Sequence, residues 1–182
     1  MPGPFQPRPD FRSTFAVDKD GANHSLSGTD WTKLTAVRVL WDYHGDYDAA
    51  TSEFVVPKDG IYSSDIQVRF TDFVNVKSVE VALFMYIDGV NDDYWFTLGK
   101  SEVDSDSDAH IGNSTEFDFR AGQRFYIAAR LTKISSLLAC SATLLGSDDY
   151  TAWGGSYTLP ILPGQGLDNP HENDGSLDKW NT

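Results

Sequence analysis

Between Tyr62 and Phe70 the chain alternates, with Tyr62, Ser64, Ile66, Val68 and Phe70 on one face and Ser63, Asp65, Gln67 and Arg69 on the other. A period of two predicts a strand with one face buried. In VEVALFMYI, Val79, Val81, Leu83, Met85 and Ile87 fall on one side, but Ala82, Phe84 and Tyr86 on the reverse predict burial of both faces. FYIAARL repeats the pattern, with Phe125, Ile127, Ala129 and Leu131 inward and Tyr126 and Ala128 behind. TAVRVLWD, FDF and SYTLPI supply shorter strands, and DGVNDD, RAGQ and AWGG supply turn chemistry. In TSEFVVPKDGIY, Pro57 cannot donate to a ladder and Gly60 tolerates backbone angles closed to other residues. PKDG is therefore a turn between strands that end at Val56 and begin at Ile61. No segment carries a convincing helical stripe, although KISSLLAC is short and ambiguous. Eight or more short strands predict an all-β fold, an antiparallel β-sandwich of the jelly-roll kind.

Composition divides the 182 residues into three zones. Residues 1–10 hold four of the eight prolines (Pro2, Pro4, Pro7 and Pro9), as suits an extended arm that clings to something else. Residues 11–162 form the sandwich, and 163–182 read as a polar, turn-prone tail. With 27 acids against 14 bases and a net charge of −13, nucleic acid is an unsuitable partner. The first residues have no apolar signal core, and no run reaches the ~18 residues of a membrane span, so synthesis in the cytosol and no membrane insertion are expected. Cys140 is the single cysteine, which excludes an internal disulfide and reads as a buried structural thiol.

The stretch YDAATSEFVVPKDGIY resembles the signature of the globular head of complement component one subcomponent q, a family that shares its jelly roll with tumour necrosis factor. Asp42, Tyr47, Phe54, Gly60 and Tyr62 match that pattern with every gap preserved, while Ala36, Ser64 and Ile66 stand where it has aromatics. RAGQRFYIAARL and WGGSYTLPIL are similar to later strands of the family, so the likeness spans about residues 11–162. It implies a tumour necrosis factor-like homotrimer of a distant, viral or bacterial member. The collagen stalk common in the family is not matched, because no Gly-X-Y repeat occurs. The residue pattern leads to self-association separately: Phe84, Tyr86 and Tyr126 occupy faces that a lone sandwich leaves wet, and such patches mark interfaces. Cover by loops or by the terminal arms is the competing reading.

Candidate chemistry is sparse. His24, His44, His110 and His171 are dispersed, with no metal-ligand or triad spacing, and no catalytic motif occurs, so no enzyme is expected. Between Asp88 and Asp108 there are seven acids and one base, Lys100. Alternating Asp104, Asp106 and Asp108 offer oxygen ligands for calcium as a candidate cofactor, and some members of the resembled family hold calcium near their threefold axis. A solvated loop is the plainer account, since DSDSD lacks the glycine and distal glutamate of a helix-loop-helix site. Trp41 reads as core. Trp31, Trp95 and Trp153 flank turns among polar residues, the arrangement that stacks a sugar, with trimer packing as the alternative. Taken together these features predict a non-enzymatic trimeric attachment knob of a virion fibre or spike, made in the host cytoplasm. Its N-terminal arm would meet other virion proteins and its loops a host-surface receptor or glycan. A cement protein of a virus-like particle and a secreted, extracellular carbohydrate-binding module are the alternatives.

Overall fold

The computed structural model describes residues 14–36, 38–87, 94–104, 108–146 and 152–159. These residues form thirteen strands and no helix, all paired antiparallel in two facing sheets. The first sheet contains β1 (Thr14–Asp18), β2 (His24–Ser27), β4 (Arg38–Asp42), β7 (Gly60–Val74), β10 (Ala109–Phe119), β12 (Ser141–Leu144) and β13 (Ala152–Leu159). Its order is β2-β12-β7-β13-β1-β4, with β10 also on β7. The second contains β3 (Thr32–Lys33), β5 (Tyr47–Asp48), β6 (Glu53–Val55), β8 (Val76–Ile87), β9 (Tyr94–Glu102) and β11 (Gln123–Lys133). Its order is β5-β6-β11-β8-β9, with β3 also on β11. This is the jelly roll expected from the alternation.

The long alternating segments behave as their patterns dictate. In β7 the side chains of Tyr62, Ser64, Ile66, Val68 and Phe70 are buried, while Asp65 and Gln67 face water. The strand runs on to Val74, past a left-handed Asp72 at φ 55° where the pairing with β12 shifts register. β8 is buried on both faces, since Val79, Val81 and Leu83 enter the core and Ala82 and Phe84 are covered from outside. The PKDG turn joins Val55 to Gly60, within one residue of the expected ends. RAGQ carries the chain from β10 in the first sheet to β11 in the second with Gly122 at φ 85°, and the Gln123 side chain accepts from Arg120 N at 2.6 Å. DGVNDD, the arm 1–10 and the tail 163–182 lie outside the described residues.

Aromatic rings fill the space between the sheets. Phe15 stacks on Phe54 at 4.5 Å and meets Trp153 edge-on at 5.0 Å, while Phe125 stacks on Phe119 at 4.8 Å. Signature residues serve this core. Tyr47, Phe54 and Tyr62 line it, and the Asp42 carboxylate accepts from four backbone amides, of His44, Gly45, Asp46 and Tyr47, at 2.9–3.4 Å. That carboxylate fixes the loop that delivers Tyr47, whose hydroxyl donates to Ala36 O at 3.0 Å. One signature departure has a direct reason: the small Ser64 accepts from Trp153 Nε1 at 3.3 Å, so indole occupies the space beside it.

Two expectations are corrected. AWGG is not a turn but the start of β13, where glycines serve close packing. A Cβ on Gly155 would lie 2.5 Å from Ser63 O, and one on Gly154 would lie 2.9 Å from Phe15 O. Trp41 is not core but 53% exposed, because β4 is an edge strand and its pairing with β1 shifts register between Ala16 and Val17. Three consecutive apolar residues, Val39, Leu40 and Trp41, cannot all face inward from a strand, and at this irregular edge all three reach solvent. Cys140 is buried as expected, its thiol 3.2 Å from Gly28 O.

The Phe15→Ala variant is expected to lose about 3–5 kcal/mol of unfolding free energy, the range for truncating a buried aromatic. Urea denaturation measures it; a loss below about 1 kcal/mol would mean that the ring does not bridge the sheets.

Candidate functional site

The chain between β2 and β4 joins the second sheet as β3, which pairs with β11 at Lys33↔Ala128 and Thr32↔Ala129. This pairing places the Trp31 side chain against the outward face of β8, β9 and β11. Trp31 meets Phe84 edge-on at 5.2 Å and Trp95 at 5.2 Å, and Phe84 stacks on Tyr126 at 5.3 Å. The cluster includes Ala82 and Ala128 and is separate from the main core. Small residues at these two positions leave room for the rings.

Charged side chains are fixed on the same face. Arg130 lies over Trp31 at 4.5 Å and over Trp95 at 5.5 Å, within reach of a cation–π interaction with both. Glu80, directly across the ladder, receives Arg130 Nε at 2.8 Å and Nη2 at 2.7 Å on one oxygen and the Thr97 hydroxyl at 2.7 Å on the other. Further along the same strands, Glu53 receives Lys33 at 2.5 Å, the Tyr86 hydroxyl at 2.7 Å and Arg124 at 3.4 Å, and Lys33 also sits 4.4 Å above the Tyr126 ring. Burial alone would raise the Glu53 pKa, but the bonds from Lys33, Tyr86 and Arg124 together with the Lys33 charge hold it below the ordinary range.

Five of the residues singled out from the sequence, Trp31, Trp95, Phe84, Tyr86 and Tyr126, therefore meet on one surface. The sixth aromatic, Trp153, is corrected: at 5% exposure and packed on Phe15 and Phe125, it offers no ring to a ligand. Nor is Phe84 wet in a lone protomer, being 7% exposed under Trp31, while Tyr86 and Tyr126 are half-buried. Of the acidic trio, Asp104 is exposed, Asp108 is paired with Arg69 and Asp106 lies outside the described residues. Among the described residues no three His, Cys, Asp or Glu side chains are grouped to hold a metal. Glu80 and Arg130 are legible in the sequence, since each shares the parity of the reverse-face residues, Ala82 and Phe84 on one strand and Tyr126 and Ala128 on the other.

The first sheet has a different exterior. Its outward face carries small and polar residues, and a groove of about 520 Å³ there is lined by Leu40, Trp41, Asp65, Gln67, Gly154 and Ser156 among others. Tyr43 is exposed at the end of the same edge. No element among the described residues covers this face.

Facing antiparallel sheets of this order form a jelly-roll fold. The structure is similar to murine APRIL, with a TM-score of 0.58 and 16% identity over 81% of this chain and 100% of that one. It is similar to Eiger TNF from S. frugiperda, with a TM-score of 0.62 and 14% identity over 88% and 99% of the two chains. The globular domain of zebrafish complement 1qA matches with a TM-score of 0.52 and 10% identity over 82% and 99%. At these identities the likeness is one of fold. No family model matches the sequence, and neither does any curated protein.

The depressed Glu53 carboxyl gives a pH prediction. Such a group stabilises the fold above the ordinary glutamate pKa, and its contribution disappears as pH falls through the folded value. Wild type should therefore melt above Glu53→Gln at neutral pH, with the gap closing below about pH 4. Thermal melts across pH test this; a gap that ignores pH would show that the charge of Glu53 contributes nothing.

Proposed function

We propose that the protein is a non-enzymatic binding module that acts as a homotrimer and presents the aromatic face of its second sheet to a surface carbohydrate. The observation that carries this reading is the placement of two half-exposed indoles, Trp31 and Trp95, beside a fixed Arg130–Glu80–Thr97 group. Indole rings cover the apolar face of a pyranose, and a held guanidinium, carboxylate and hydroxyl bond its hydroxyls. A binding role also accords with the engagement of both carboxylates on the face by their own neighbours, which leaves neither as a ready acid or base.

Self-association is supported by the first sheet, where the apolar edge of Val39, Leu40, Trp41 and Tyr43 borders an uncovered groove. Exposed apolar edges invite pairing with another chain. The Phe84 face is a weaker candidate because the protomer already covers it. The finer setting, an attachment knob on a virion fibre or spike that binds a host-surface polysaccharide, has the proline-rich residues 1–10 as its support, an arm suited to seating in a larger particle.

Light scattering should report a trimer for the wild type and for Tyr126→Glu but protomer mass for Trp41→Glu, since three like charges would meet at the edge contacts. The opposite pair of results would return the interface to the second sheet. On a glycan array Trp95→Ala is expected to lose about 5- to 30-fold in binding, given roughly 1–2 kcal/mol for an indole contact. Full retention by that variant, or no glycan bound by wild type, would remove the carbohydrate reading.

A further inference from the structure

Arg130 on β11 is held from two sides. Its Nε donates to Glu80 Oε2 at 2.8 Å and its Nη2 lies 2.7 Å from the same oxygen, while the guanidinium sits 4.5 Å from the ring centre of Trp31 and 5.5 Å from that of Trp95. The other Glu80 oxygen is engaged by the Thr97 hydroxyl at 2.7 Å. A guanidinium offers hydrogen-bond donors along a side-on edge, Nε with Nη2, and at an end-on fork, Nη1 with Nη2. Here the side-on edge is used and the fork is not. Among the described residues nothing accepts from Nη1 or from the outer hydrogen of Nη2, and the Arg130 side chain keeps 37% of its surface exposed.

The row of side chains around it turns cations outward. Arg130, Glu80 and Lys100 stand opposite one another across β11, β8 and β9, and the Glu80 side chain, 12% exposed, lies between cations that are 37% and 51% exposed. Acids are also close by. Glu102 pairs with Lys100 at 3.3 Å, Asp30 precedes Trp31 and is exposed, and Asp48 on β5 accepts from the Ala50 amide. The face as a whole therefore carries no excess of positive charge, and in a chain of net charge −13 a polyanion gains nothing from long-range attraction. Selection of an anion has to come from contact, and the fork supplies it. Its two N–H groups match the two oxygens of a carboxylate, and a guanidinium already fixed by Glu80 loses little freedom on binding. In a hexuronic acid the carboxylate stands on C5, at the rim of the pyranose, so a ring stacked on Trp95 holds it beside this guanidinium.

We propose that the aromatic face is specific for acidic carbohydrate, with the end-on fork of Arg130 receiving the carboxylate of a hexuronic acid and Glu80 positioning that fork. This rests on the carbohydrate reading of the face and adds the class of sugar.

Titration calorimetry of the full chain with oligomers of galacturonic, glucuronic and mannuronic acid, each beside its methyl ester, tests it in about 0.15 M salt. The ester keeps the ring and its hydroxyls and removes only the charge. Wild type should bind at least one acid at least about tenfold more tightly than its ester, as expected for hydrogen bonds to a charged group. Arg130→Lys keeps the positive charge without the fork, so it should lose most of that preference while its affinity for the ester stays within about twofold of wild type. Trp95→Ala should instead weaken acid and ester alike. A merely structural role for Arg130 would lower both affinities together and leave their ratio unchanged, which overturns the proposal. Wild type that binds acid and ester equally, or prefers neutral sugars, overturns it too and leaves the carbohydrate reading standing. If wild type binds no glycan at all, both fall.

Discussion

The contact of Phe15 with Phe54 and Trp153 joins β1 and β13 of the first sheet to β6 of the second, and much of the sequence is arranged around it. Gly154 and Gly155 are glycines because the backbone of β13 must come close to β1 and β7 beside that ring. Ser64 is small because the Trp153 indole lies against it and needs an acceptor. Two sheets can approach to about 10 Å only where such choices agree, and a larger side chain at any of these points would push them apart.

The outward faces of the two sheets differ for a topological reason. The short β3 brings the side chains of Trp31 and Lys33 to the outward face of the second sheet, so that face holds a closed set of rings and ion pairs. Nothing among the described residues crosses the first sheet, which keeps its groove and its apolar edge. A pre-ordered aromatic face suits recognition, since its side chains have little freedom left to lose on binding. An open face with an apolar edge suits association with an identical chain.

Two short polar side chains each hold a connection between strands, and they do so with opposite chemistry. Asp42 has only acceptors and gathers backbone amides, fixing the loop after the exposed edge strand. Asn75 has two N–H donors and an acceptor oxygen, so its Nδ2 reaches three carbonyls by sharing one hydrogen between two of them, its Oδ1 takes one amide, and it fixes the corner between the sheets. Loops held in this way present a constant shape without regular structure of their own.

The sequence by itself determined the sheet architecture, because alternation in β7, β8 and β11 depends only on which side of a strand each residue occupies. It also marked the two-sided burial of β8, and with it most of the aromatic face. It misplaced Trp41 and Trp153, and for one reason. Periodicity says which residues share a face but not whether a strand lies in the middle of a sheet or at its edge, nor whether paired glycines turn the chain or let two strands close up. Edge position, the cover of Phe84 by Trp31, and the partners of Glu53 and Glu80 all arise between residues far apart in the chain. Those were decided only when the sheets were assembled, since such contacts depend on three-dimensional neighbours that no local pattern encodes.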